Sequence, residues 1–133
     1  MANSLHHERM DFVARQILDK SFSSQTKEAS LRAIKGLGVV LRTQGLMVAL
    51  ATLGGNNDTR WLAQLLGRWL TDHMPRPLLK QEALEGHRIS SLLKALSEAD
   101  RVTYQAAQRE ALAVAELMKI YAEAWGPQDN GRG

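Results

Sequence analysis

The sequence contains no cysteine. That one absence excludes disulfides, thiolate zinc sites and thiol nucleophiles together, and it fits a reducing cytoplasm. Aromatic residues make up only 5% of the chain, so the apolar content is mostly Leu, Ala, Val and Ile, of which Leu and Ala are strong helix formers. Nowhere does an apolar run reach the roughly 18 to 20 residues that cross a bilayer. The start, Met1 to Asp11, carries His6, His7, Glu8 and Arg9 and has no apolar stretch of the signal-peptide kind. The expectation is a cytoplasmic protein with no membrane partner. Period-2 alternation long enough for a strand is also missing, as are internal repeats.

The usual signatures of chemistry are missing too. His6, His7, His73 and His87 form neither H-x-x-x-H nor H-E-x-x-H. There is no G-x-S-x-G, no Walker-type loop and no G-x-G-x-x-G; Gly36-Leu37-Gly38 lacks the third glycine and a preceding strand, and reads as packing. Glu98 and Asp100 point in different directions on any helix and make no acid/base pair. No catalytic residue, no metal site and no cofactor are expected. Trp61 and Trp69, two turns apart on an apolar face, read as core rather than as a stacking platform.

What is present is helical periodicity. A chain of 133 residues is the size of one domain and can bury about two-thirds of its unfolded surface. A first helix is expected from about Ser4, its N-cap, to Lys20, with Phe12, Val13 and Ile17 on its apolar face. Thr26 is the expected cap of a second helix running to Thr43, with Leu31, Ile34, Leu37, Gly38 and Leu41 on one face. Gly45 marks a break. Leu46 to Leu53 reads as a short buried helix, and Gly54 to Asp58 as a loop whose Asn57 or Asp58 caps a fourth helix to His73. Pro75 and Pro77 end that helix. A short piece at Leu78 to Leu84, a fifth helix from His87 to Ser97 and a long last helix from Asp100 to Trp125 complete the reading. The fold class is all-α: a compact bundle of about six helices over residues 1–125, followed by a disordered polar tail at 126–133.

Net charge is +3, and its placement is uneven. Residues 1–60 carry eight Lys/Arg against five Asp/Glu, and no acid lies between Glu28 and Asp58. Projected at about 100° per residue from Leu31, the apolar set of the second helix falls at roughly 240° to 360°. Arg42, Lys35 and Arg32 follow at about 20°, 40° and 100°, a cationic stripe beside the apolar face. Lys and Arg in such an array bind phosphates as charge and as fork donors; the plain alternative is a solvated helix surface.

Two stretches carry a likeness to a known family. One is Leu41-Arg42-Thr43-Gln44-Gly45-Leu46 with Ala49-Leu50-Ala51; the other is Tyr104, Arg109-Glu110, Leu112, Ala115-Glu116, Lys119 and Ala122. Together they resemble the small α-helical subunit of type III-B (Cmr-type) CRISPR RNA-guided effector complexes. The pattern departs at Leu117, where relatives often carry an aromatic residue, and at Ile120, where a second basic residue is usual. The resemblance implies a non-catalytic subunit that stacks in several copies beside backbone and large subunits, along guide RNA paired with target RNA. Its contacts would go to phosphates, while base pairing supplies specificity. By position, Arg42 and Lys119 match basic residues of the family. Lys35 and Arg32 join from the stripe, and Arg15 and Lys20 on the first helix are further RNA-backbone candidates. Arg109 and Glu110 match too, as a local pair or as a contact to a neighbouring copy. Two other readings stand beside this one: a helical adaptor or homo-oligomer without nucleic-acid binding, and a helix-turn-helix DNA binder.

Overall fold

The computed structural model of the chain describes residues 4–18, 21–74, 78–80 and 88–125, with the backbone alone at His73. Six α-helices appear among them, and no strand. They are α1 (Leu5–Leu18), α2 (Ser24–Gln44), α3 (Leu46–Gly54), α4 (Arg60–Arg68), α5 (Ile89–Glu98) and α6 (Arg101–Ala122). A π-helical turn, Trp69–His73, extends α4, and a 3-10 turn, Glu123–Trp125, ends α6. The long C-terminal helix and the all-α class are as the periodicity implied.

Helix starts follow from local side-chain chemistry. The first amide groups of a helix lack partners within it, and a preceding hydroxyl or carboxylate can supply one. Ser4 does so for α1, its Oγ accepting from His7 N–H at 3.1 Å. For α2 the cap is Ser23, whose Oγ accepts from Thr26 N–H at 3.1 Å. The expectation that Thr26 caps this helix is therefore overturned. Its hydroxyl instead donates to Asp58 Oδ1 at 3.1 Å and ties the start of α2 to the α3–α4 connection. For the same reason Asp58 does not cap α4, and neither does Asn57. Thr59 occupies the cap position without a side-chain cap, because its hydroxyl is turned back to Leu53 O at 2.8 Å. Asp100 caps α6 by accepting from Thr103 N–H at 2.7 Å.

The fourth helix reaches His73 as expected, but its last turn is widened. Met74 N–H reaches back five residues to Trp69 O at 3.1 Å, the π pattern. Beyond it, the amides of Leu78 and Leu79 both reach Leu70 O, at 3.1 and 3.2 Å, satisfying a carbonyl that the ending helix leaves open. Residues 78–80 are not helical; the remainder of the piece expected to Leu84 lies outside the described residues, as do Lys20 and 126–133. The fifth helix starts at Ile89, two residues later than expected.

The core is a single cluster that takes in every helix, with Val13, Ile17, Leu41, Leu46, Leu50, Leu62, Leu65, Leu66, Leu70, Leu92 and Val114 completely buried. Helix α6 packs against both α1 and α2, and α3 bridges α2, α4 and α5. Trp69 is in the core beside Phe12, ring centroids 5.2 Å apart. Trp61 is half-buried, stacked on Phe22 at 4.4 Å with its indole N–H on Ser30 Oγ at 2.9 Å. Both tryptophans thus serve packing. Close approach between helices occurs at Gly54, where a Cβ would meet the Ile89 side chain at 3.1 Å, and not at Gly36, which faces open space.

Gly45 is the sharpest local constraint. Its φ of 92° and ψ of 168° lie in a region that only glycine populates readily. The sequence pattern implied a break here, and a positive φ with an extended ψ makes it, turning the chain directly into α3. Gly45→Val should lower stability by about 2 kcal/mol through backbone strain, whereas Gly36→Ala should raise it by about 0.5–1 kcal/mol through helix propensity. Urea midpoints of the two variants against the parent check both signs.

The carboxyl of Asp100 titrates below its ordinary value of 3.8, chiefly because the Thr103 backbone N–H stabilises the charged form. A folded pKa below the unfolded one adds stability above the unfolded pKa and loses it as pH falls through the folded pKa. Asp100→Ala should therefore lower the melting temperature at neutral pH, and the gap should narrow as the medium is acidified below 3.8. Melting curves of both proteins across that range test it.

Candidate nucleic-acid interface

Helices α2 and α6 run antiparallel, as two contacts at opposite ends show. Gly45, past the end of α2, lies by Tyr104 and Gln108 near the start of α6. Lys27, near the start of α2, lies over the Trp125 ring at 5.9 Å, past the end of α6. Between these two ends, residues 35–42 of α2 lie alongside α6 from its Leu112 onward. Between them runs a groove of about 110 Å³, with Lys35, Gly38 and Arg42 on the α2 side and Leu112, Glu116 and Lys119 on the α6 side.

Three of the predicted cations, Lys35, Arg42 and Lys119, thus come together from two helices far apart in sequence. All three are exposed. Among the described residues none of them forms an ion pair, and neither does Glu116. Arg42 folds back along α2: its Nη1 lies 3.4 Å from where a Gly38 Cβ would be. Long helical side chains lean toward the N-terminus in this way, and the missing Gly38 side chain leaves the guanidinium room against the groove floor. Three cations, unpaired among the described residues, and one carboxylate give the groove a net positive lining. Its size and charge suit an anionic group such as a phosphate.

The other predicted residues are placed differently. Arg32 is exposed on α2, one turn before Lys35, but does not line the groove. Arg15 is on α1, where it pairs with Asp11 at 3.4 Å beside an acidic cleft that also holds Glu8. Lys20 lies outside the described residues. Among the described residues no group of three His, Asp or Glu is arranged to hold a metal, and no helix is long and apolar enough to cross a membrane.

Compared with known families, residues 5–125 match the family described as CRISPR-associated protein (Cas_Cmr5). The chain belongs to this family. It is accordingly a CRISPR-associated Cmr subunit of type III effector systems. A search of curated proteins finds no match.

The residues that carried the resemblance have distinct physical roles in this member of the family. Leu41, Leu46, Ala49, Leu50, Ala115 and Ala122 are core. The Tyr104 hydroxyl oxygen accepts from Met47 N–H at 3.1 Å. Beside it, Gln108 accepts from Leu46 N–H at 3.0 Å and donates to Leu41 O at 2.9 Å. Together they satisfy the first amides of α3 and a last carbonyl of α2, gripping the Gly45 elbow from α6. Arg109 and Glu110 are not a pair. Glu110 is buried, accepting from Arg9 Nε at 2.7 Å and Trp69 Nε1 at 2.9 Å, whereas Arg109 is exposed on another side of α6. Gln108 is the residue that sequence reasoning missed. Its only signal is spacing, one turn after Tyr104 on the same face, which does not reveal that a glycine elbow lies opposite.

Gln108→Leu keeps the volume but strands the Leu46 N–H in a half-buried place, while Leu41 O keeps the Gly45 N–H at 3.2 Å. It should lower stability by about 2 kcal/mol, and amide exchange of Leu46 should accelerate more than that of core amides in α4. Uniform acceleration throughout the protein would instead assign Gln108 no local role at the elbow.

Proposed function

We propose that this chain is a non-catalytic small subunit of a type III-B CRISPR effector ribonucleoprotein. Several copies stack along the guide RNA–target RNA duplex, and each holds the phosphate backbone in its α2/α6 groove, in antiviral defence in the cytoplasm. Lys35, Arg42 and Lys119 make the direct contacts; Arg32 adds field from one turn away. The observation that carries this reading is the meeting of three cations, none paired among the described residues, from two antiparallel helices of a family member. A phosphate-binding groove needs such convergence, and a solvated helix face does not.

The magnitudes fit a subunit that binds weakly alone and firmly in an array. Neutralising three phosphates gives a salt slope on the order of −2 to −3, so a fourfold rise in salt weakens binding roughly 16- to 64-fold. Copies joined through protein contacts raise one another's effective concentration, and weak sites accumulate into firm binding. A net charge of +3 suits that scheme, because a far more basic chain binds any RNA it meets.

Reversing Lys35 and Arg42 together to Glu should weaken duplex binding by at least about tenfold near 100 mM salt and flatten the salt slope by about two. Arg15→Glu, on α1, should leave both unchanged. Filter binding of guide–target duplex over a salt series, with the assembled complex and with the free protein at low salt, gives the answer. Equal affinities for the Lys35/Arg42 variant and the parent would favour the adaptor reading.

A further inference from the structure

Beyond Leu112, where the α2/α6 groove ends, the exposed side of α6 opens into a trough of about 660 Å³. Arg101, Tyr104, Gln105, Gln108, Arg109 and Leu112 line it, all from α6. Its chemistry differs from that of the groove. Tyr104 and Leu112 supply its apolar lining. The Tyr104 oxygen is held by Met47 N–H, and the Gln108 carboxamide is held by Leu46 N–H and Leu41 O. The rim is Arg101 and Arg109, both exposed and neither engaged in an ion pair among the described residues. They are eight positions apart in sequence, about 12 Å along the helix axis, and among the described residues no carboxylate lines the trough. Val102, next to Arg101, is 76% exposed, the highest figure for any large apolar side chain described.

We propose that this trough is a docking surface for an acidic amphipathic helix of another protein subunit of the effector complex. Apolar side chains of that helix pack on Tyr104 and Leu112, and two of its carboxylates, about two turns apart, reach Arg101 and Arg109. Arginine, tyrosine and leucine in one lining have the composition of a protein interface, in which arginine and aromatic residues are enriched and lysine is depleted. The guanidinium fork suits a carboxylate. A phosphate strand has less to gain here. The two cations stand about two turns apart on one helix, instead of converging from two helices as in the α2/α6 groove. The inference rests on the family assignment, which makes the chain one subunit among several, and not on RNA binding in the α2/α6 groove.

The test uses the complex assembled from all its subunits. With Arg101→Glu and Arg109→Glu combined, the amount of this chain retained per purified complex should fall by about tenfold or more. The free variant should melt like the parent and bind duplex RNA within about twofold of it, because both residues are exposed and outside the groove. Placing the photo-crosslinker p-benzoylphenylalanine at position 105 in the intact complex should give a crosslink to a helix of another subunit that carries Asp or Glu two turns apart. Full retention of the Arg101/Arg109 variant would overturn the proposal. So would a crosslink to RNA or to a second copy of this chain, or a loss of RNA affinity as large as that of the Lys35/Arg42 variant. If that double reversal unfolds the chain, Arg101→Gln with Arg109→Gln carries the same expectations with less charge.

Discussion

The structure hangs on the elbow between α2 and α3. Gly45 adopts a backbone conformation that a side chain disfavours, and the turn it makes exposes amides at the start of one helix and a carbonyl at the end of another. Those groups need partners when water is partly excluded. Tyr104 and Gln108 provide them from α6, a helix some sixty residues further along the chain. By doing so they set the register of α6 against α2. That register puts Lys35 and Arg42 in one groove with Lys119, and leaves Arg101 and Arg109 exposed. The same two side chains, Tyr104 and Gln108, also line the proposed docking trough.

Charge is used in two separate ways. On the inward side of α6, Glu110 is buried and engaged by Arg9 and Trp69. Removing one partner of such a pair strands the other in a poorly solvated place, so it ties α1, α6 and the end of α4 in one arrangement. On the α2-facing side the cations are exposed and left without ion pairs among the described residues. Exposed pairs would add little stability, so leaving Lys35, Arg42 and Lys119 unpaired sacrifices little and keeps them available for an anion. Glu116 in the same groove moderates the field. In the proposed array this moderation is useful, since affinity comes from the number of copies engaged and not from any one of them.

Much of the fold is legible in the residue pattern alone. Leucine and alanine at helical spacing, prolines after the expected helix ends and the lack of alternation leave only a helical bundle, and Gly45 announces its break. Boundaries move where two polar residues compete for the same amides: Ser23 takes the cap expected of Thr26, because Asp58 draws the Thr26 hydroxyl away. Such competition depends on a neighbour thirty-two residues distant and leaves no local trace. The core role of Trp69 follows from its apolar face; the stacking of Trp61 on Phe22 does not, since Phe22 lies in a connection with no periodicity to read.

By itself, then, the sequence determined the all-α class, the order of the helices, the lack of thiol chemistry and the basic stripe of α2, because periodicity, composition and propensity are local properties that act within a few turns of chain. Only the tertiary structure decided which cations share a groove, that Arg15 belongs elsewhere, and that Arg109 and Glu110 face different surroundings although adjacent. Those are matters of how one helix is rotated and shifted against another. Buried hydrogen bonds such as those at Gly45 and Glu110 set that rotation, and they join residues that nothing along the chain marks as partners.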